Sequence, residues 1–312
     1  MRILRCGVGW SGIEQALAAR LGGAHEVVVA DPARPIPESA RGFEVLVPSA
    51  VRIDGSFLDL CPSVRLVHRA GVGYEGIDLE AAKARGVAVC NAPGTNPVSV
   101  AEFALMLMLM LARKVPLASR LLREGGVGLP NGIELAGRSA LVVGAGACGT
   151  ALAVRLSALG MRVSGIRRSL VPPSGVAWAS FGGGADLPRL LEGAEFVVLC
   201  VPLSDATRHL IDAAALARLR PGAFLVNVSR GAVVDQGALV AALRSGHLAG
   251  AGLDVLEKEP PDPSDSLLAM ENVVPLPHIA GSTEEALART IEIIADNVGR
   301  LSRGEPLRHR VG

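Results

Sequence analysis

The stretch SALVVGAGACGTALAVRLSALG, residues 139–160, runs an apolar strand pattern straight into Gly144, Gly146 and Gly149 and out again into a helical pattern. A strand, a tight glycine turn and a helix in direct succession are a βα unit of an open parallel sheet. The first glycine permits the turn, the second lets the backbone approach a pyrophosphate, and the third lets helix and strand pack closely. Amides at the helix start, around Ala147 and Cys148, are then aimed at the phosphates with the positive end of the helix dipole behind them. A dinucleotide is therefore expected on Gly144, Gly146, Ala147, Cys148 and Gly149.

The next strand pattern, MRVSGI, ends where such a fold faces the adenosine ribose, and an Asp or Glu there accepts hydrogen bonds from both ribose hydroxyls of NAD. This chain instead carries Arg167 and Arg168, followed by Ser169. Guanidinium groups bind a 2′-phosphate through charge-assisted bidentate bonds, whereas a carboxylate would repel it. NADP is the expected cofactor, with NAD as the alternative. The bland counterpart is a pair of solvated loop arginines.

With 312 residues the chain is long enough for two domains, each with its own core. Half of the residues are apolar and only 3% aromatic, so the core must be mostly Ala, Val, Leu and Ile, as suits parallel strands covered by helices. Up to about residue 95, strand-like runs (RILRCGV, EVVVAD, FEVLVPS, VRLVHRAG, VAVCNAPG) alternate with the helical GIEQALAARLG and DLEAAKARG. A helix at 99–111 and a Gly/Pro-rich loop, EGGVGLPNG, separate this series from a second one. The second series has six strand-like runs, SALVVGAG, MRVSGI, EFVVLCVP, FLVNVS, AGAGLDV and NVVPLP. The fold class expected is α/β, two Rossmann-like doubly wound parallel-sheet domains with a cleft between them. A last helix is expected from a capping box of Ser282 and Glu285, with Leu287, Ile291, Ile294, Val298 and Leu301 on its apolar stripe.

A net charge of +1 gives no electrostatic footprint for nucleic acid or an anionic membrane surface. The longest apolar run, residues 103–112, is too short to span a membrane and suits a helix buried on all sides. The first residues lack a signal-peptide pattern, so a cytoplasmic protein is expected. Cys6, Cys61, Cys90, Cys148 and Cys200 are odd in number and widely spaced, which suggests neither a disulfide framework nor a metal site. Cys148, at a helix start where a thiolate would be stabilised, is read as a packing residue.

Three further stretches carry chemistry: LVNVSRGAVVD with Arg230, GLDVLEKEP with Asp254 and Glu259, and PLPHIAGST with His278. Each follows a strand pattern, and in open α/β sheets ligands bind outside the carboxyl ends of the strands. A histidine is a suitable proton donor near neutral pH, a carboxylate beside it holds the ring and favours its charged form, and an arginine fork suits a substrate carboxylate. Singly, each has a plain structural reading, as an ion pair, a surface charge or a satisfied loop histidine.

Together with RAGVGYEGIDLEAAKARGVAVCNAPGTN, SVAEFALMLML and VPLSDATRHLID, these motifs resemble the D-2-hydroxyacid dehydrogenase family over most of the chain, its glyoxylate/hydroxypyruvate reductases included. The resemblance implies that Arg230 binds the substrate carboxylate and keto oxygen, that His278 is the acid/base, and that Glu259 hydrogen-bonds His278. It implies Asp254 near the nicotinamide amide, further cofactor contacts from Val201, Pro202, Thr207, Val228 and Ser229, and a substrate loop at Gly71, Val72 and Gly73. It also implies a substrate-binding domain of residues 1–97 plus 281–312, a dinucleotide-binding domain of residues 98–280, and a homodimer packed through the helix at 103–111. Arg167 departs from the family's usual Asp, ACG from its usual residues before the third glycine, and EGGVGLPNG lacks its usual tryptophan.

The reading that follows is reduction of a small 2-keto acid, glyoxylate or hydroxypyruvate first, to the D-2-hydroxy acid with NADPH. Arg69 keeps a phosphoglycerate dehydrogenase as an alternative, although Pro48 stands where that group tends to offer a second cation. A dinucleotide-sensing corepressor is the other alternative, and the intact set of Arg230, Glu259 and His278 speaks against it.

Overall fold

A computed structural model describes residues 1–7, 12–30, 40–49, 51–128 and 130–312. The chain divides into two compact units, Met1–Asn96 with Ser282–Gly312, and Pro97–Gly281.

The first unit holds strands β1 (Arg2–Cys6), β2 (Glu26–Val29), β3 (Val45–Pro48), β4 (Leu66–His68) and β5 (Ala88–Cys90) in one sheet of order β2-β1-β3-β4-β5, every pair parallel. Strands β3 and β4 are buried at every position, because helices cover both faces of a parallel sheet. The helix Glu284–Arg303 lays Ile291, Ile294 and Val298 on Ile13 and Leu17 of the helix Ile13–Leu21 and on the sheet. It starts one residue later than the sequence suggests: Thr283, not Ser282, is the N-cap, and its hydroxyl accepts the Ala286 amide at 3.2 Å. Thr283 is the last residue in extended conformation, so its side chain is the one that reaches the orphan donor three residues on. The helix closes at Gly304 in the left-handed region. His68, at the end of β4, is fully buried and pairs through Nε2 with the Asn297 amide at 3.0 Å. Burial pulls its pKa down to about 4, which makes it a neutral polar link between sheet and helix.

The second unit holds seven parallel strands, β6 (Ser139–Val143), β7 (Arg162–Ile166), β8 (Ser180–Gly182), β9 (Phe196–Leu199), β10 (Ala223–Asn227), β11 (Leu248–Leu253) and β12 (Val273–Pro275). Their order, β12-β11-β10-β9-β6-β7-β8, is the doubly wound order with its switch point between β6 and β9. Six of these strands coincide with the six apolar runs. Strand β8, SFG, escapes a reading by apolar runs because it is three residues long and ends in glycine.

The helix at 99–111 runs from Pro97 to Ala112 and packs on β11, where a Cβ on Gly252 would lie 3.0 Å from Leu107 Cβ. It is not buried on all sides: Val98, Met106 and Leu109 are 47%, 38% and 42% exposed, on the edge turned away from the sheet. Of the loop expected at 124–132, residue 129 lies outside the described residues, and its neighbours from 126 on are irregular. Among the described residues no helix is long and apolar enough to cross a membrane.

Candidate active site

At the end of β6 the chain turns at Gly144, whose φ of +102° is open to glycine and strained for other residues. A Cβ there would also come within 2.7 Å of the Cys200 backbone. Gly149 is buried where a Cβ would collide with the Gly144 carbonyl, so the helix Ala147–Ala158 sits directly against the turn. Gly146 is different. A Cβ on it would meet nothing within 4 Å, and the helix it caps has no side-chain cap. The cradle is thus tight on its protein side and open on the other, with first-turn amides left for a ligand, and these residues fit a dinucleotide pyrophosphate. Cys148 packs into the adjoining apolar cluster, and burial raises its thiol above the ordinary range, as suits a packing residue rather than a thiolate.

Arg167, Arg168 and Ser169 are exposed just beyond β7, where the Arg167 amide donates to the Gly182 carbonyl at 3.0 Å. After β9, Val201 is half-buried and Pro202 exposed. The Thr207 hydroxyl donates to the Pro202 carbonyl at 2.7 Å and accepts from the Ser204 amide at 2.8 Å, closing that loop on itself. Val228 and Ser229 are buried at the end of β10, and the Ser229 hydroxyl and amide both donate to Asn227 Oδ1.

Asn227 was not singled out in the sequence. Its Oδ1 holds Ser229 while its Nδ2 donates to the Arg230 carbonyl at 3.0 Å, so one buried amide shapes the turn that projects Arg230. Gly231 adds a second constraint, since a Cβ there would run into the Leu256 backbone. The segment bearing Arg230 therefore lies against the segment leading to Glu259. The only sequence signal for Asn227 is a polar residue closing an otherwise apolar strand.

Glu259 Oε2 pairs with His278 Nδ1 at 2.8 Å, and Oε1 accepts the Leu256 amide at 3.0 Å. Burial alone would raise the Glu259 carboxyl. The hydrogen bond and charge of His278, the Leu256 amide and the nearby Arg230 outweigh it and hold the group below its ordinary value, hence ionised. His278 has a φ of +57°, unusual for a residue with a side chain, and Asp254 holds the chain there. The Asp254 carbonyl accepts the His278 amide at 2.7 Å, and its two carboxylate oxygens accept the Ile279 and Ala280 amides at 2.8 Å each. Asp254 is 1% exposed, and burial raises its carboxyl despite those two amides. Expected as a cofactor contact, it is also the brace of the histidine loop. Nδ1 being engaged, Nε2 is the ring nitrogen of His278 left for a substrate, and the side chain is 47% exposed. A second pair, His209 Nε2 with Glu257 Oε1 at 2.9 Å, stands on the surface.

In the other unit, Gly71, Val72 and Gly73 follow β4, with Val72 44% exposed. Arg69 donates from Nε to the Gly73 carbonyl at 3.0 Å and from Nη1 to the Pro48 carbonyl at 2.7 Å.

Residues 105–280 match the family model for the NAD-binding domain of D-isomer specific 2-hydroxyacid dehydrogenases, more than half of the chain. The chain belongs to that family. The family comprises NAD(P)-dependent oxidoreductases of small 2-hydroxy and 2-keto acids. The glyoxylate reductase of Korarchaeum cryptofilum is 41% identical over 81% of this chain and 77% of its own length. The D-3-phosphoglycerate dehydrogenase of Archaeoglobus fulgidus is 38% identical over 86% of this chain, which spans 51% of that protein. Among solved structures, the NADPH-dependent glyoxylate/hydroxypyruvate reductase of Sinorhizobium meliloti, in complex with NADP and malonate, superposes with a TM-score of 0.85. It is 32% identical and covers 100% of this chain and 96% of its own.

Proposed function

We propose that this 2-hydroxyacid dehydrogenase reduces a small, unphosphorylated 2-keto acid, glyoxylate or hydroxypyruvate first, to the D-2-hydroxy acid with NADPH. The observation that carries the reading is the ionised Glu259 held on Nδ1 of His278, with Arg230 on an adjoining turn. NADPH, when bound at the Gly144 to Gly149 turn of the 98–280 domain, supplies the hydride that the carbonyl carbon accepts. His278 delivers a proton from Nε2 to the carbonyl oxygen, so that C=O becomes CH–OH, and Glu259 stabilises the imidazolium that makes this proton available. Arg230 offsets the negative charge growing on that oxygen and holds the substrate carboxylate. Residues 1–97 with 281–312 form the substrate domain in this reading, with the amides at 71–73 as carboxylate donors.

Arg167 and Arg168 support NADPH over NADH, since each places a cation just past the end of β7, where the adenosine ribose lies in this fold. The expected result is a clear excess of kcat/KM for NADPH with glyoxylate, and a shift toward NADH of about tenfold to a hundredfold in Arg167→Asp, the worth of one charge-assisted phosphate contact. Equal kcat/KM for the two cofactors would contradict the cofactor assignment, and oxidation of neither would contradict the reductase reading itself.

The exposed Val98, Met106 and Leu109 support a homodimer formed through the helix Pro97–Ala112. Light scattering should give twice the 32.1 kDa mass of the chain, and a monomer at micromolar concentration would contradict it.

A further inference from the structure

In the loop that follows β4, three successive carbonyls are engaged by donors at the ends of β4 and β5. The Ala92 amide donates to the Gly71 carbonyl at 2.9 Å, Asn91 Nδ2 to the Val72 carbonyl at 2.7 Å, and Arg69 Nε to the Gly73 carbonyl at 3.0 Å. Three consecutive carbonyls are thereby tied down to the ends of β4 and β5, while among the described residues the amides of Gly71, Val72 and Gly73 donate to nothing. Successive peptide groups held in this sense present a row of N–H dipoles to the outside, which is a binding concavity for a small anion. The open side is real: a Cβ on Gly71 would meet nothing within 4 Å, and Val72 is exposed.

Both side-chain donors are anchored. Asn91 is 7% exposed at the end of β5, and its own amide donates to the His309 carbonyl at 3.2 Å. Arg69 spans from the loop to the Pro48 carbonyl that ends β3. Two of its three guanidinium nitrogens thus serve main-chain carbonyls, and a guanidinium fixed in that way supports the loop in place of gripping a phosphate as a two-pronged fork.

We infer that Asn91 and Arg69 are positioning residues that hold the 71–73 amides outward as a cradle for a carboxylate, and that Arg69 is not a phosphate ligand. This deepens the keto-acid reading above and rests on it for the identity of the anion. It restricts the substrate class to keto acids whose far end carries no phosphate, because the cation that would receive the phosphate is already engaged in shaping the loop.

The test is the binding of oxamate, an unreactive isostere of a 2-keto acid, to the full chain by calorimetry with and without saturating NADPH. Oxamate affinity should fall about tenfold or more in Asn91→Ala and again in Arg69→Lys, the effect of one lost hydrogen bond to a buried brace. NADPH affinity and melting temperature should stay near wild type. Asn91→Asp, nearly identical in shape but without the donor, should behave like Asn91→Ala, which separates the hydrogen bond from packing. Steady-state rates then give the specificity arm: Arg69→Lys should raise KM for glyoxylate and for phosphohydroxypyruvate by the same factor, with kcat changed far less. Oxamate affinity within threefold of wild type in both Asn91 variants would overturn the inference, and so would a loss confined to phosphohydroxypyruvate in Arg69→Lys. Because oxamate binding needs no turnover, a wild-type protein that binds it but reduces no keto acid would overturn the proposed reaction and leave the cradle standing.

Discussion

His278→Ala should lower kcat for keto-acid reduction by about a thousandfold or more, while the dissociation constant for NADPH changes by less than about threefold. The magnitude is that of removing a positioned general acid, about 10² to 10⁴. It should lie in the upper part of that range because the geometry is set on three sides: Glu259 fixes Nδ1 at 2.8 Å, the Asp254 carbonyl fixes the main-chain amide at 2.7 Å, and the Asp254 carboxylate fixes the two residues that follow. Water entering the space left by the imidazole would find neither that orientation nor a paired carboxylate tuned to it. The molecule contains its own control. His209 also pairs with a glutamate, Glu257, at 2.9 Å and with side-chain exposure close to that of the His278 pair, but its loop lacks the Asp254 brace. His209→Ala should retain kcat within about threefold, since no step of the proposed reaction uses its imidazole. Stopped-flow measurement of NADPH oxidation separates the chemical step from binding in both variants. Near-wild-type kcat in His278→Ala, or a larger loss in His209→Ala, would move the acid/base role away from His278.

Arg230→Ala should lower kcat/KM by about 10³ to 10⁴, divided between KM and kcat. A single donor to a developing oxyanion is worth about 10² to 10³ in kcat. Loss of a charge-assisted contact to the substrate carboxylate should raise KM by a further tenfold or so. Arg230→Lys should recover part of kcat and little of KM, because an ammonium supplies the charge without the planar fork. Part of the loss would be indirect, since Arg230 also helps to keep the Glu259 carboxyl ionised beside His278. A change in KM alone, with kcat intact, would mean that Arg230 contributes only uniform binding and not transition-state stabilisation.

Much of the architecture could be read before any coordinates because parallel strands buried on both faces write themselves as apolar runs, and because Gly144 and Gly149 occupy places that no side chain can enter. The His278, Glu259 and Arg230 assignments came through motif resemblance, and the short Glu259 to His278 contact gives that pairing a geometry. What escaped was of another kind. Strand β8 is too short to show a period, and the start of the helix Glu284–Arg303 depended on which of two adjacent hydroxyls lay on the extended residue. Asn91 and the bracing part of Asp254 act through hydrogen bonds to main-chain atoms of distant segments, and Asn227 through bonds to the turn that follows it. Such bonds depend on tertiary geometry and leave no spacing in the sequence. Arg69 illustrates the same limit from the other side: its type suggests an anion ligand, and nothing in its spacing announces the bonds it makes to the Gly73 and Pro48 carbonyls.

The central claim, that Arg230, Glu259 and His278 serve the reduction of a small keto acid without a phosphate, is tested most directly by one panel at fixed saturating NADPH. The panel comprises glyoxylate, hydroxypyruvate, pyruvate, a bulky aromatic keto acid and phosphohydroxypyruvate. The account predicts the highest kcat/KM for glyoxylate or hydroxypyruvate, with phosphohydroxypyruvate well below both. A kcat/KM for phosphohydroxypyruvate well above the two-carbon and three-carbon acids would contradict it and return Arg69 to the role of a phosphate ligand.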